Sequence, residues 1–432
     1  MSELPVNIRI DLGVHDNENP LLRGLPQERT HSEWYQSLGE DPLKHFKLPS
    51  ILMESHAELV KDLYVPSTAA ADVAMRLQSM LRKSLRTRDP RVGENRRHLF
   101  EMARLTKKTN LTDDLEELPK LTEGAAGAIV QGPTGVSKTR SLECITRQLP
   151  QVIEHGENEA CGWLSLKQLV WLRVFMPDDA NRRTLYLTII REIDRLLGTN
   201  YIALFKERTK NGPMLLLLLH ILSIHRCGLI IIEEIQERNV SSPVLGKEFV
   251  STFLRLLNAG IPVVLVGNPL GMQKVLEFSQ DLRRFSQGGI FDFYPAYAVD
   301  DKDWSQVLVP QIWSWTIFSE PDEIPAADLV GLLFQRTGAI LDVLTTYRRE
   351  CLISALRRSA KRVEQVDLSL AWGSAAMRPL HALGAAYADH NIDALMKWGD
   401  QPIAWLQRNW MAEESRRSMR KKAIEHHAST SH

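Results

Sequence analysis

The stretch AIVQGPTGVSKTRSLE, residues 128–143, decides the fold. A short apolar run, AIVQ, precedes a loop with two glycines, GPTGVS, and a helical pattern that begins with Lys138 and Thr139. A buried strand, a tight loop and a helix N-terminus together form a phosphate-binding loop, because backbone N–H groups and the helix dipole both favour an anion. We expect Lys138 to contact the β- and γ-phosphates of ATP and the Thr139 hydroxyl to coordinate Mg²⁺.

One position departs from the usual GxxxxGK[ST] pattern, because Ser137 stands where such loops carry glycine. A chance match in an ordinary loop is therefore an alternative interpretation. Under the functional interpretation, the residues predicted to bind nucleotide are Gly132, Pro133, Thr134, Gly135, Val136, Ser137, Lys138, Thr139 and Arg140.

A pair of carboxylates follows a second apolar run, LIIIEE, residues 229–234. We expect Glu233 to lie near Mg²⁺ with Thr139, and Glu234 to polarise the water that attacks the γ-phosphate. The alternative is a pair of solvated acids at a strand end. Four consecutive apolar residues before the pair favour the functional interpretation.

Further polar residues follow a third strand, IPVVLVGNP. Asn268 is predicted to orient the attacking water, although an asparagine before Pro269 is also typical of a turn. In DLRRFSQGG, Arg283 or Arg284 could reach a neighbouring subunit's nucleotide as an arginine finger. The alternative for these arginines is a solvated basic helix end.

Composition narrows the class of protein. The chain has 432 residues, 44% of them hydrophobic, and equal numbers of basic and acidic residues, 53 of each, so net charge indicates no nucleic-acid or membrane partner. Four cysteines without a CxxC pair argue against a zinc site or a disulfide framework. With no signal-peptide pattern at the N-terminus, we expect a cytoplasmic protein.

The order of patterns predicts an α/β fold. Apolar runs AGAIVQG, QLVWLRVFM, GLIIIEE and IPVVLVGN alternate with helical segments, which indicates a parallel sheet flanked by helices. The segment 213–235 imitates a membrane span but divides better into a buried helix to about residue 225, a turn and a buried strand. The predicted parts are an N-terminal extension, 1–95; an ATP-binding core, 96–298; a helical lid, 299–372; and a C-terminal helical extension with a basic tail, 373–432.

With these elements in order, the chain resembles the AAA+ ATPases, and more narrowly the transposition regulators of the TnsC and TniB type. The narrower resemblance rests on QLVWLRVFMPDDANRRTLYLTIIREIDRLLGTNY, on LIIIEEIQ, and on VGNP followed by LRRF. It covers about residues 120–350. Three residues depart from the family pattern: Ser137 replaces glycine, Glu233 replaces aspartate, and Leu341 lies near the place of a lid arginine.

The resemblance implies an ATP-dependent ring or filament on duplex DNA that connects a target selector of the TniQ or TnsD type to a transposase. DNA would be contacted through its phosphates, without base reading. The candidates for this contact are Lys167, Arg173, Arg182 and Arg183, for which a solvated charged turn is the alternative. The N-terminal arm is expected to dock the selector, and the basic C-terminal segment to contact transposase or DNA unless it is a solvated tail.

Hydrolysis is expected to be slow, because a Cβ at Ser137 crowds the loop and the longer side chain of Glu233 shifts its carboxylate relative to Mg²⁺. Two other functions stay open. One is a degenerate scaffold that binds ATP without turnover. The other is a stand-alone ATPase of DNA repair or signalling.

Overall fold

A computed structural model describes residues 8–10, 19–107, 121, 123–179, 181–206, 209–236, 243–276, 283, 285 and 287–430. The chain divides into two compact units. The first, here called the α/β unit, comprises Met1–Gln36, Ala69–Gln131 and Lys138–Asp292. The second, the helical unit, comprises Ser37–Thr68, Gly132–Ser137 and Phe293–His432. The division into four parts expected from the sequence stays a prediction.

The strands of the α/β unit form two sheets. In chain order they are β1 (Ile8–Ile10), β2 (Gly127–Gln131), β3 (Val152–His155), β4 (Leu166–Leu169), β5 (Leu172–Phe175), β6 (Ile230–Ile235), β7 (Val263–Gly267) and β8 (Ile290–Asp292). The main sheet has the order β5-β6-β7-β2-β8 and is parallel throughout. A small sheet has the order β1-β3-β4, with β1 parallel and β4 antiparallel to β3.

The helices of the α/β unit flank the main sheet. They are α1 (Pro20–Arg23), α2 (His31–Ser37), α4 (Thr68–Thr87), α5 (Gly93–Thr106), α6 (Lys138–Thr146), α7 (Arg182–Leu197), α8 (Asn211–Ile224), α9 (Pro243–Asn258) and α10 (Pro269–Leu276), while α3 (Glu54–Ala57) belongs to the helical unit. Every residue of β2 and β7 is buried, as expected for strands of a parallel sheet covered on both faces. The predicted α/β architecture, a parallel sheet with flanking helices, is confirmed.

One predicted strand is wrong in its extent. The run QLVWLRVFM was expected to form a single strand, but β4 ends at Leu169 and β5 begins at Leu172 in a different sheet. Between them, the Val170 N–H donates to the carbonyl of Gln151 at 2.9 Å. An apolar run without alternation does not reveal that its two halves pair with different neighbours.

The apolar segment 213–235 is divided as predicted. The helix α8 ends at Ile224, a turn follows, and β6 begins at Ile230. Among the described residues no single helix is long and apolar enough to cross a membrane. The pair Ala326–Thr337 and Leu341–Arg357 reaches that length and composition only when both helices are taken together, and it is bent by 116°.

The helical unit is built from short helices and turns. Besides α3, its helices are α11 (Val309–Ser314), α12 (Ala326–Thr337), α13 (Leu341–Arg357), α14 (Gln365–Trp372), α15 (His381–Ala388), α16 (Ile392–Leu395) and α17 (Ile403–Thr430), and a π-helical turn covers Asp303–Leu308. Gly338, with a φ of 59°, ends α12 in the left-handed conformation that glycine adopts most readily. This part of the predicted helical lid is therefore two helices, Ala326–Thr337 and Leu341–Arg357, with a bend of 116° between them.

A buried ion pair lies in the core of the helical unit. Arg348 is 0% exposed, and its Nη2 donates to Asp322 Oδ1 at 3.2 Å and to the carbonyl oxygen of Trp315 at 2.8 Å. The guanidinium carbon also lies 5.3 Å from the ring centroid of Trp313. A charge this deep is tolerated because its donors meet a carboxylate and a carbonyl.

We predict that Arg348→Ala lowers the free energy of unfolding by about 3–5 kcal/mol, because it leaves unpaired the largely buried carboxylate of Asp322, whose side chain is 11% exposed. Urea unfolding followed by tryptophan fluorescence measures the change. The control is Arg357→Ala, which removes an arginine paired with Glu54 on the exposed surface and should leave the unfolding midpoint nearly unchanged. Equal losses in the two variants would contradict the role given to the buried pair.

Candidate functional site

The loop Gly132–Ser137 connects β2 to α6. A Cβ on Gly132 would lie 2.0 Å from the carbonyl oxygen of Phe293, so no larger residue fits there without a backbone shift. Gly135 has a φ of 84°, and its carbonyl accepts from the Asp342 N–H at 3.1 Å. Two of the loop's glycines are thus required by close packing or by conformation.

Ser137 also has a positive φ, 64°, in the region that residues with a Cβ seldom adopt. The left-handed conformation costs a non-glycine residue about 1–2 kcal/mol. The departure from glycine therefore has a backbone consequence, in addition to the crowding expected from the sequence. Of the other loop residues, Pro133 and Val136 are buried and Thr134 is exposed.

Lys138 is the first residue of α6 and is half-buried. Burial lowers the pKa of Lys138 to about 8, while the carboxylates of Glu234 and Glu233 act in the opposite direction. The structure thus brings together the predicted phosphate-binding lysine and the predicted acidic pair. Its ammonium carries a charge at neutral pH and loses it under mildly basic conditions.

The acidic pair lies in a β-bulge at the end of β6. Ile232 is opposite Leu265 and Ile235 is opposite Gly267, so Glu233 and Glu234 together face a single residue of β7. Glu234 adopts a φ of 60°, a conformation that costs about 1–3 kcal/mol. Glu233 is 0% exposed, whereas Glu234 is exposed and accepts a hydrogen bond from Gln236 Nε2.

Arg173, on the neighbouring strand β5, holds the buried carboxylate. Its Nε donates to Glu233 Oε1 and its Nη1 donates to Glu143 Oε1 at 3.2 Å. Burial acts to lower the pKa of Arg173, but the bonds to Glu233 and Glu143 outweigh it and the pKa is raised. The structure places this residue at the acidic pair, and its predicted contact with DNA stays a prediction.

Sequence reasoning missed Glu143 as a member of this cluster, and it assigned Arg173 to DNA contact without its place at the acidic pair. Glu143 lies on α6 and also pairs with Arg140, one of the predicted nucleotide-binding residues, at 3.3 Å. The available signal was a single arginine inside the apolar run LVWLRVFM, since a buried charge needs a partner. Its partner could not be read from sequence spacing, because Glu143 and Glu233 are 30 and 60 residues away.

Asn268 follows β7 and begins the turn into α10. Its Oδ1 accepts from the Leu270 N–H at 3.0 Å, and its own N–H donates to the carbonyl of Ile235 at 3.0 Å. These bonds fit the turn-forming alternative and also fix Asn268 beside the end of β6. Its predicted part in orienting water stays a prediction.

Three further predicted site residues are Thr139, Arg283 and Arg284. Thr139 is half-buried in the first turn of α6, and Arg283 is exposed. Arg284 lies outside the described residues. The predicted roles of Arg283 and Arg284 as arginine fingers stay predictions.

Of the remaining candidates for DNA contact, Arg182 and Arg183 begin α7, whereas Lys167 lies on β4 and contacts the last residue of α7. Lys167 donates to the carbonyl of Leu197 at 2.9 Å, and Arg183 donates to the carbonyls of Thr209 at 2.7 Å and Lys206 at 2.9 Å. Arg182 is the first residue of α7 and is half-buried. Two of these three side chains therefore also stabilise local backbone.

The residues present fit a nucleotide with Mg²⁺. Glu233 Oε2 is buried and has no hydrogen-bond partner within the described part of the chain, so one carboxylate oxygen is left for a further ligand. The described residues contain no cluster of three or more His, Cys, Asp or Glu side chains that could hold a metal by themselves. Mg²⁺ commonly uses one or two carboxylates together with phosphate oxygens, which matches this arrangement.

Comparison with known proteins gives one family match and several structural similarities. A solved structure of the Aeropyrum pernix ORC2 protein in ADPNP–ADP complexes is 15% identical over 58% of this chain and 62% of that chain, with a TM-score of 0.39. Cdc6p from Pyrobaculum aerophilum is 15% identical over 55% of this chain and 57% of that chain, with a TM-score of 0.36. Domain III of the replication initiation protein DnaA from Thermotoga maritima is 13% identical over 67% of this chain and 93% of that chain, with a TM-score of 0.34.

The chain spans less than two thirds of the length of the first two of these proteins, and scores this low carry no functional argument. No curated protein matches the chain. The family model described as AAA domain matches residues 121–276, which include the loop, the acidic pair and Asn268. This match supports ATPase activity in general, and it supports a place in the AAA+ superfamily for residues 121–276, which are similar to an AAA domain.

Proposed function

We propose that this chain is an ATP-dependent regulator of DNA transposition that oligomerises on duplex DNA. The observation that carries the ATP-dependent part is the grouping of Lys138 with Glu233 and Glu234 at one edge of the parallel sheet. The transposition part rests on the resemblance to TnsC and TniB in the blocks around residues 168–201, 229–236 and 266–285. Its proposed partners are a transposase and a target selector of the TniQ or TnsD type.

Each residue of the site has a proposed role. The backbone of residues 132–137 holds phosphate oxygens, Lys138 contacts the β- and γ-phosphates, and Arg140 lies beside them. Thr139 and Glu233 are the protein ligands of Mg²⁺. When bound, Mg·ATP supplies the γ-phosphoryl group and a cation that neutralises its charge.

The exposed carboxylate Glu234 is the proposed general base. Its bulged backbone directs it away from the buried Glu233, so the two acids can take different roles although they are adjacent in sequence. Glu234 accepts a proton from a water that Asn268 helps to orient. Arg283 or Arg284 of a neighbouring subunit completes the site, so that oligomerisation depends on ATP.

A second function, a scaffold that binds ATP without turnover, is favoured by two observations. Ser137 holds a strained conformation at the glycine position, and Arg173 occupies Glu233 Oε1. Hydrolysis would require the buried carboxylate to share its charge between Arg173 and a cation. Turnover by the purified chain, with and without duplex DNA, separates this scaffold from the ATPase.

We predict that ATP affinity falls by about eightfold between pH 7.5 and pH 9, because the free Lys138 has a pKa of about 8 and only its charged form attracts the triphosphate. The sign follows from linkage: a bound anion raises the lysine pKa, so binding takes up a proton above pH 8. Equilibrium binding of a fluorescent ATP analogue measures the change. Lys138→Arg, which stays charged over this range, should lose most of the pH dependence, and an unchanged dependence would contradict the assignment.

We predict that Glu234→Gln lowers ATP turnover at least about 100-fold while the dissociation constant for ATP changes less than about threefold, because it removes a base without removing a phosphate contact. Glu192→Gln, which alters a half-buried acid on α7, is the matched control and should turn over ATP normally. If Glu234→Gln retained full turnover, Glu234 would not be the base.

We predict that electron microscopy with duplex DNA and a non-hydrolysable ATP analogue reveals rings or filaments on DNA, which are absent without nucleotide. Charge reversal at Arg182 should weaken duplex binding about fivefold or more and reduce its salt dependence, because a phosphate contact is lost. Arg195→Glu, which makes the same charge change near the other end of α7, should bind DNA normally. Identical oligomers and DNA affinity with and without nucleotide would refute the proposed function.

A further inference from the structure

A second group of basic side chains lies near the start of β6, at the opposite end of this strand from the candidate nucleotide site. Arg226 lies four residues before the start of β6, whereas Glu233 and Glu234 lie near its end. Arg88 follows α4 and bonds to the same turn, because its Nη2 donates to the carbonyl of Cys227 at 2.6 Å. We name this group, Arg88, Arg91, Arg96, His98 and Arg226, the arginine cluster.

Arg88 forms the interior of the arginine cluster. It is 5% exposed and, besides the bond to Cys227, its Nη2 donates to Ser84 Oγ at 2.6 Å. Its Nη1 is buried without a hydrogen-bond partner in the described part of the chain. The contacts to Ser84 and Cys227 explain why an arginine stabilises this turn, but they leave both N–H groups of Nη1 unused.

Arg226 has still fewer partners. It is 6% exposed, and its guanidinium forms no hydrogen bond and no ion pair within 4 Å among the described residues. Its backbone has a φ of 50°, an uncommon conformation for a residue with a Cβ. Burial lowers the pKa of Arg226 to about 10, and Asp89 and Cys161 only partly oppose that effect.

The nearest carboxylate is already engaged. Asp89 accepts from Arg91, with Nε to Oδ1 at 3.0 Å and Nη2 to Oδ2 at 2.7 Å. Arg91, Arg226 and Arg96 all oppose the rise that burial causes in the pKa of Cys161, so these arginines surround one buried point. Arg96 donates to the carbonyl of Ala160 at 3.2 Å and thereby stays at the rim.

His98 adds another unused polar atom from α5. It is 9% exposed, and its Nε2 is buried without a partner in the part of the chain that the structure describes. Burial lowers the pKa of His98, Glu101 raises it, and Arg88 and Arg226 lower it further. The imidazole is therefore neutral near pH 7 and can present an N–H to an acceptor without adding charge.

Four arginines thus converge here, and among the described residues the carboxylate that acts on the pKa of Arg226 is that of Asp89, which already bonds to Arg91. A buried charge without a counter-charge is unfavourable and is uncommon unless a ligand or partner compensates it. The unused donors of Arg88, Arg226 and His98 require acceptor oxygens, and the excess of positive charge requires an anion. Arginine forks match the oxygen geometry of phosphate.

We propose that the arginine cluster binds a compact phosphate dianion, either inorganic phosphate or the phosphate monoester of a small molecule. The phosphate oxygens accept hydrogen bonds from Arg226. The half-buried Arg91 and Arg96 lie on the more exposed side of the cluster, and the buried Arg88 and His98 lie on its inner side. The near-complete burial of Arg226 favours a compact anion over the evenly spaced phosphates of duplex DNA, which are contacted from exposed surfaces. This site is separate from the nucleotide loop and does not depend on the proposed function.

The test measures binding of ³²P-labelled inorganic phosphate by equilibrium dialysis at constant ionic strength, with the full chain carrying Lys138→Ala so that the nucleotide loop does not contribute. We expect saturable binding of one phosphate per chain. Adding Arg226→Gln should weaken it at least tenfold. Adding Arg97→Gln, which removes an exposed arginine of the same helix as Arg96, should change it less than twofold.

Circular dichroism and the melting temperature establish that the Arg226→Gln chain is folded, and the milder His98→Ala serves as a second variant, with an expected loss of about threefold or more. AMP as competitor distinguishes the two sources: displacement of phosphate by AMP at lower concentration than by unlabelled phosphate assigns a nucleotide-type monoester, and the reverse assigns the free ion. Absence of saturable phosphate binding, or equal binding by the Arg226→Gln and Arg97→Gln chains, overturns the proposal. The proposal is also overturned if duplex DNA binding depends on Arg226 and phosphate binding does not.

Discussion

The complete burial of one carboxylate, Glu233, is the constraint on which the organisation of the candidate site depends. A charge with no exposed surface needs partners, and Arg173 supplies them from the adjacent strand β5. Arg173 in turn bonds to Glu143 on α6, the helix that begins with Lys138. A single electrostatic requirement thus links β5, β6 and α6.

The same requirement limits how the chain can work as an ATPase. The Arg173 bond holds Glu233 Oε1, and the second oxygen is left without a partner among the described residues. A cation that binds with nucleotide therefore meets a carboxylate that is ordered but only partly neutralised. Ser137 adds a conformational cost in the loop before Lys138. Under the proposed function, both features would affect the rate of turnover more directly than the binding of nucleotide.

The main sheet could be predicted from the sequence because its strands are short apolar runs separated by helical periodicity, and β2, β6 and β7 lie where those runs lie. The brief strands β1, β3 and β8 could not, since three or four residues carry no distinctive pattern and are fixed by pairing with distant neighbours. The split of QLVWLRVFM escaped prediction for the same reason.

For the candidate site, residue types at the ends of strands identified Lys138, Glu233 and Glu234 as a group, because parallel strands bring their carboxyl ends to one edge. The partners of Arg173 were not predictable, because ion pairing across 30 and 60 residues leaves no local pattern. Nor did the sequence reveal the left-handed backbone of Ser137 and Glu234, which tertiary contacts impose.

The bulge in β6 has a consequence for how this chain can vary. Two residues of β6 share one position of β7 there, so the register before the bulge and the register after it differ by one. Shortening the strand by a single residue at this point would restore a regular ladder and exchange the two sides on which its last side chains emerge. An insertion or deletion of one residue before the two acids in this strand would likewise exchange the sides that they face, whereas length changes in surface loops would leave both acids in place.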